Sequence, residues 1–229
     1  RGGLTMDITK RQIYLALARD VPDGKGGFTP NPYKRWSDID PALPDEPILV
    51  YGPPPTSGTR DAFVELAMEL GAREIDQLAM LREEDESAFR RRAGTLREDG
   101  AWNDAGENDN VLVQQLVRSP DAFGVFGYSF FEENRDRVQA AKVAGVEPTF
   151  ETIASGDYRI ARDLFIYLKR QHVGVVPGIK EFAQEFVSLR ASGPRGYLKG
   201  RGMVPLPESE RAREAQIAAD LTVMAPPER

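Results

Sequence analysis

The stretch PILVYGPPPTSGTRDAFVELAMELG, residues 47–71, decides the fold because it predicts a buried strand, a tight loop and a helix in that order. Ile48, Leu49 and Val50 form a short apolar run bounded by prolines, which is typical of a buried strand. Four apolar residues then recur at helical spacing: Phe63, Leu66, Ala67 and Leu70. Gly71 follows them and predicts the end of the helix.

The predicted helix opens on Ser57, Gly58, Thr59 and Arg60. The first N–H groups of a helix have no intrahelical partner and the helix dipole is positive there, so an oxyanion can collect several donors. Gly58 lets the backbone approach closely, and the Ser57 and Thr59 hydroxyls add donors. Arg60 adds a positive charge and a guanidinium group whose paired N–H donors suit tetrahedral oxyanions. These four residues predict an anion site.

A plainer interpretation needs no ligand. Thr56 or Ser57 could be an N-cap that satisfies the first turn, with Arg60 pointing into water. The position of the loop favours the anion site instead. It follows a predicted strand of an open α/β sheet, at the edge where such folds bind ligands.

Further motifs support one family resemblance. Besides SGTR, the chain contains in order ITKRQIYLALA (8–18), NPYKRWSDIDPALPDEPI (31–48), GENDNVLVQQL (106–116), FGVFGYSFFEEN (123–134), GDYRIARDLFIYLKRQHVGVVPGIKEF (156–182) and GRGMVPLP (200–207). Together they resemble the phosphate-binding proteins that serve bacterial high-affinity phosphate ABC transporters. Those proteins are members of the two-lobed periplasmic binding protein class.

The resemblance implies an α/β, two-lobed periplasmic-binding-protein-like fold with one lobe incomplete. Residues 1–158 would form the anion-binding lobe that carries the SGTR loop, and residues 159–229 the C-terminal part of the other lobe. The chain begins at Arg1 without a methionine, so we expect a processed or trimmed start. The resemblance places the missing half of that lobe, with its own anion-contacting loop, upstream.

The same resemblance implies a function and its residues. A monomer in the periplasm would capture inorganic phosphate and deliver it to membrane ABC permease subunits. The ligand-binding residues would be Ser57, Gly58, Thr59 and Arg60, with weaker contributions from Thr56 and Asn108. Many relatives place an arginine four residues before the serine, where this chain has Pro53, so Arg60 would carry more of the charge.

The identity of the oxyanion stays open at this point. Phosphate keeps a proton near neutral pH and sulfate does not, so selection for phosphate needs an acceptor such as a carboxylate. In the family this acceptor comes from the upstream segment. A binding protein for a sulfate-like tetrahedral oxyanion is therefore an alternative.

Composition restricts the function classes. The net charge of −6 argues against a nucleic-acid partner, and the one basic run, residues 90–92, follows the acidic LREEDES segment as a solvated helix face would. There is no cysteine, so disulfides are excluded. No apolar run approaches the length of a transmembrane helix.

An enzyme is a weaker hypothesis. A serine hydrolase would need a glycine two residues before Ser57, where the chain has Pro55, and the single histidine, His172, has no evident partner. No lysine follows the glycines, as a P-loop would require. We therefore predict no catalytic residue and no cofactor. An interaction module without a small ligand stays open.

The acidic cluster of Asp104, Glu107 and Asp109 invites a calcium interpretation. Its spacing is wrong for an EF-hand, with no glycine at the turn and no closing glutamate, so we predict no metal site. Helix capping by Asp109 or Asn110 is the expected role.

Local patterns predict the remaining elements. Thr9 and Gln12 suit a capping box, residues 22–47 a loop held by Trp36 and Tyr33, and residues 123–131 a buried strand. Beyond a crossing near Gly156, three segments complete the prediction: a strand at 164–168, a helix from Pro177 and a polar helix at 207–218. The helix from Pro177 has an apolar stripe of Ile179, Phe182, Ala183 and Phe186.

Overall fold

The computed structural model describes residues 6–225, so Arg1 lies outside the described residues. The strands are β1 (Asp7–Ile8), β2 (Asp20–Pro22), β3 (Phe28–Pro30), β4 (Val50–Gly52), β5 (Trp102–Asp104), β6 (Phe123–Gly124) and β7 (Lys142–Val143). The helices are α1 (Lys10–Leu17), α2 (Trp36–Ile39), α3 (Gly58–Phe63), α4 (Leu70–Ala72), α5 (Asp76–Glu84), α6 (Glu86–Gly94), α7 (Asp109–Arg118), α8 (Tyr128–Glu133), α9 (Phe150–Ala154), α10 (Ile179–Phe186), α11 (Leu189–Ser192) and α12 (Glu208–Asp220). A π-helical segment, Val64–Glu69, joins α3 to α4, and two 3₁₀ turns cover Arg170–His172 and Lys199–Arg201.

The chain divides into two compact units. The first contains the residues up to Pro148 together with Tyr158–Ala161, and the second contains Thr149–Asp157 and the residues from Arg162 on. Tyr158 belongs to the first unit because it packs against that unit's core, where burial raises its pKa to about 12. The assignment of 1–158 and 159–229 to two lobes stays a prediction.

A three-stranded parallel sheet of order β5-β4-β6 organises the first unit. Val50, in the central strand, pairs with Trp102 on one side and with Phe123 on the other. Because all three strands run in the same direction, the loops that follow them emerge at one edge of the sheet. That edge carries the predicted ligand loop.

The core beside this sheet forms where α1 packs against the helix that follows the loop. Tyr14 and Met68 are fully buried there. The helix runs through the π-helical segment and ends at Ala72, within one residue of the stop predicted at Gly71. Gly71 is required for another reason: a Cβ at this position would lie 2.0 Å from the carbonyl oxygen of Lys10 in α1.

Several local predictions are confirmed. At the start of α1 the Gln12 amide donates to Thr9 Oγ1 at 3.1 Å and the Thr9 amide donates to Gln12 Oε1 at 2.9 Å, which is the predicted capping box. The stripe-bearing helix α10 and the polar helix α12 also form where the sequence places them.

The expected loop at 22–47 is wrong in part, because it contains the antiparallel hairpin of β2 and β3 and the short helix α2. Trp36 does hold this segment to the core, with 2% of its surface exposed. The strand predicted over 123–131 is also wrong beyond Gly124. Its partner β4 is only three residues long, so after the Val125 amide has donated to Tyr51 O the ladder ends and the chain forms α8.

The second unit contains no strand among its described residues, since β1–β7 all lie in the first. The strand predicted at 164–168 is therefore absent: this segment has no regular structure and leaves Leu164, Phe165 and Tyr167 exposed. A strand forms only by pairing, and the described part of this unit offers it no partner.

Within residues 6–225, no helix has the length and apolar character that crossing a membrane requires.

Candidate functional site

The predicted ligand loop is held at the end of the central strand by close packing on β5. Gly52 ends β4, and a Cβ there would lie 2.1 Å from the Trp102 ring, so only glycine fits. Residues 53–56 then turn the chain into α3, with the Ser57 amide donating to Pro54 O at 3.0 Å. The first turn of α3 therefore opens beside the sheet edge.

Ser57 is the N-cap of α3, because its Oγ accepts from the Thr59 amide at 3.2 Å. The capping interpretation is thus correct for Ser57, but it does not exclude a ligand. The cap uses Ser57 only as an acceptor, so its hydroxyl proton can still be donated elsewhere. The bond to Thr59 is also at the long end of the normal range, so a bound anion could compete for that amide.

Arg60 does not point into water. Its side chain is 19% exposed, and its Nη1 donates to Asp104 Oδ1 at 2.7 Å and to Pro53 O at 3.4 Å. The guanidinium also lies over the Trp102 ring, 5.4 Å from its centroid. The charge of Arg60 is therefore fixed in place, against the carbonyl of Pro53 and the carboxylate of Asp104.

Trp102 and Asp104 form the support beneath Arg60. Trp102 is buried, stacks on Phe63 at 5.7 Å between ring centroids, and donates from Nε1 to Asp104 Oδ1 at 2.8 Å. Asp104 stands opposite Gly52 in the register of β5 and β4. The support thus comes from residues paired directly with the strand that carries the loop.

The acidic residues at the end of β5 and just after it hold the ligand loop through hydrogen bonds. Glu107 accepts a hydrogen bond from the Thr56 hydroxyl at 2.5 Å, while Asp104 binds Arg60. Burial, reinforced by the Glu107 carboxylate, raises the pKa of Asp109 above its usual range. In residues 6–225, no cluster of three histidine, cysteine or acidic side chains is arranged to hold a metal ion.

Asn108 lies in the second loop of the same edge and caps α7, accepting from the Asn110 amide at 3.0 Å. The sequence predicted Asp109 or Asn110 for this role, and that prediction is wrong by one or two residues. The cap must precede the first helical residue, and α7 begins at Asp109. The bond between Thr56 and Glu107 links the two loops, so one edge of the sheet carries all six predicted ligand residues.

The sequence analysis did not identify Trp102 as a support for Arg60, and it assigned Asp104 only to an acidic cluster. A signal was present, because AWND lies between Gly100 and Gly106 and could have been predicted as a short strand, although its pairing with β4 could not. His172 lies exposed in a 3₁₀ turn of the second unit.

The fold and this edge define an α/β protein in which a parallel strand leads through a tight loop into a helix N-terminus. The chain belongs to the periplasmic binding protein (PBP) superfamily, because the model of the PBP superfamily domain matches residues 2–190. Its α/β fold is that of the periplasmic binding proteins.

The individual curated relatives have low sequence identity to this chain. The phosphate-binding protein PstS of Staphylococcus saprophyticus is 26% identical over 220 residues, which cover 94% of this chain and 55% of the relative. Protein SphX of a Synechocystis strain is 29% identical over 76% of this chain and 45% of the relative. The chain therefore spans about half the length of these curated relatives.

Solved structures show the same similarity. A possible phosphate binding protein from Planctomyces limnophilus aligns with a TM-score of 0.60 and 27% identity, over 95% of this chain and 65% of that one. PstS from Borrelia burgdorferi aligns with a TM-score of 0.54 and 16% identity, over 90% of this chain and 66% of that one, and shows the shared fold alone.

Proposed function

We propose that this protein captures inorganic phosphate outside the cytoplasm, in the periplasm, and delivers it to membrane ABC permease subunits. The observation that carries the proposal is the fixed Arg60 at the first turn of α3, beside the carboxyl end of the central strand. The names of the relatives, phosphate-binding protein PstS among them, support phosphate as the ligand.

The donors would come from one turn of helix. The hydroxyls of Ser57 and Thr59 and the first backbone amides, including that of Gly58, would surround one side of the ion. In the described part of the chain, both hydrogen bonds of Arg60 come from Nη1. The N–H donors on its other two nitrogens, Nη2 and Nε, can therefore face the ligand. Thr56 and Asn108 would line the rim of the site.

The carboxylates at this edge favour an oxyanion that carries a proton. Asp104 and Glu107 are both close to the loop, and either would repel a fully ionised ligand. Hydrogen phosphate can donate its proton to a carboxylate, whereas sulfate has none to donate at neutral pH. We therefore favour phosphate over sulfate, and we infer that part of this selection resides in the chain itself.

Binding alone would be the function. The relatives are binding proteins, and Ser57 serves as a helix cap rather than as a nucleophile held by a base. We propose that the protein acts as a monomer without metal or cofactor, and that residues 1–158 and 159–229 contribute to two lobes.

Calorimetric titration tests the proposal. Phosphate and sulfate are titrated separately into the protein and into Asp104→Asn, with Asp136→Asn, another exposed aspartate of the first unit, as the matched control. We expect saturable phosphate binding, weaker sulfate binding, and a smaller phosphate preference in Asp104→Asn alone. No saturable binding of phosphate would refute the proposal, and sulfate binding more tightly would assign the site to the alternative ligand.

A further inference from the structure

A second concentration of positive charge lies in the first unit, on residues other than those of the SGTR loop. Three arginines, Arg19, Arg91 and Arg92, line a cavity of about 370 Å³ together with Ala88 and Thr95. Cavities of this size fall at the lower end of the range for small-molecule sites.

The backbone around this cavity is anchored to the core of the first unit. Arg19 follows α1, and its amide donates to the Thr95 carbonyl at 2.9 Å, which joins the end of α1 to the end of α6. Arg91 and Arg92 lie in the last turn of α6, whose inner face is anchored by the fully buried Phe89 and Ala93. The backbone positions of the three guanidinium groups are thus set by the core.

The arginines differ in how their charge is compensated. Arg19 pairs with Asp20 at 2.9 Å. In residues 6–225, neither Arg91 nor Arg92 makes an ion pair with a carboxylate, although the chain as a whole is acidic with a net charge of −6. Local positive charge therefore persists at a concave surface of an acidic protein.

Arg92 is also held in a fixed orientation. Its guanidinium lies over the Phe28 ring, 3.9 Å from the centroid. This cation–π contact uses none of the N–H donors at the edge of the guanidinium, which is the side that recognises oxyanions. A guanidinium held in this way loses less entropy when a ligand binds.

We propose that this cavity is a second anion site, specific for small molecules with several adjacent phosphate groups, such as inorganic polyphosphate. A single phosphate would fill only a small part of the cavity and contact one guanidinium group. A chain of phosphates can contact Arg91, Arg92 and Arg19 at the same time. The site is independent of the SGTR loop and of the function proposed for it.

Titration with inorganic tripolyphosphate tests this site at constant ionic strength. The test variant is Arg91→Gln/Arg92→Gln, and the matched control is Arg82→Gln/Arg90→Gln, which removes two exposed arginines that do not line the cavity. We expect affinity for tripolyphosphate to fall at least tenfold in the test variant and to stay within twofold in the control. Arg91→Lys/Arg92→Lys keeps the charge but removes the guanidinium groups, so its affinity for tripolyphosphate should lie between those of the test and control variants.

Three outcomes would overturn the site: no saturable tripolyphosphate binding, equal losses in both double variants, or loss of tripolyphosphate binding in Arg60→Met. The last result would mean that the polyanion occupies the SGTR loop. Binding of orthophosphate to that loop should be unchanged in Arg91→Gln/Arg92→Gln, so failure of either site can be told from failure of the other. If this variant melts at a lower temperature than the native protein, the exposed single substitution Arg91→Gln replaces it, with an expected loss of at least threefold.

Discussion

Arg60 Nη1 donates to Asp104 Oδ1 at 2.7 Å and so ties the first turn of α3 to the end of the neighbouring strand β5. The same Asp104 oxygen accepts from Trp102 Nε1 at 2.8 Å. A cation beside a candidate anion site is thereby positioned before any ligand arrives. Pre-positioning of this kind reduces the entropy lost on binding.

Replacement of Arg60 by methionine should weaken phosphate binding by about 2 kcal/mol or more, roughly thirtyfold, because a charged hydrogen bond to the ligand is lost. Calorimetry measures the change. Arg118→Met, at the far end of α7 and exposed, removes the same charge and should leave the dissociation constant within twofold. An unchanged dissociation constant for phosphate in Arg60→Met would show that Arg60 does not contact the ligand.

Gly71→Ala should destabilise the first unit by about 1–3 kcal/mol, the usual cost of overpacking a core. The added methyl would lie 2.0 Å from the Lys10 carbonyl oxygen, so α1 and α4 must separate. Urea denaturation measures the loss. Gly200→Ala is the control, since nothing lies within 4 Å of its Cβ, and equal stability of the two variants would contradict the close packing of these helices.

Stability should depend on pH through Asp99. Its hydrogen bond with the buried Arg97 holds the pKa of Asp99 well below its usual range, with a further contribution from Lys34. A carboxyl with a lowered folded pKa stabilises the protein above its unfolded pKa of about 4, and this stability is lost as the pH falls towards the folded value.

Asp99→Asn should therefore unfold at lower urea concentration than the native protein at pH 7, and the difference should shrink between pH 4 and pH 2. The exposed Asp121→Asn serves as the control. A difference that stays constant over this range would show that Asp99 acts by packing and not by charge.

Aryl phosphate and ester substrates should be hydrolysed only at the background rate. Ser57 caps a helix, and the single histidine of the chain lies exposed in the second unit. A colorimetric assay measures release of the phenol. Saturable hydrolysis that disappears in Ser57→Ala would establish an enzyme.

The sequence predicted the loop and the start of the helix at the candidate site because each has a strong local signal. The strand predicted at residues 48–50 forms instead over Val50–Gly52, where pairing with β5 and β6 sets its limits. The apolar run before the prolines and the cap at Ser57 are determined by neighbouring residues. The contact between Arg60 and Asp104 spans 44 positions and depends on how β4 and β5 pair, which periodicity does not reveal.

The errors have the same cause. Gly71 marks the end of its helix to within one residue, but nothing local reveals that Lys10 packs against it. The apolar residues at 164–168 have the composition of a strand, but a strand needs a neighbour to accept its hydrogen bonds. Pairing and packing are properties of the whole unit, and a single stretch of sequence predicts them poorly.

The most direct measurement of the central claim is the amide NMR spectrum of ¹⁵N-labelled protein during titration with phosphate. We predict saturable shifts of the amides of Gly58, Thr59 and Arg60 at the start of α3, with the amide of Leu78 in α5 unmoved, and the loss of these shifts in Arg60→Met. If phosphate leaves the three amides unchanged at millimolar concentration, or shifts them equally in Arg60→Met, the SGTR loop is not the phosphate site.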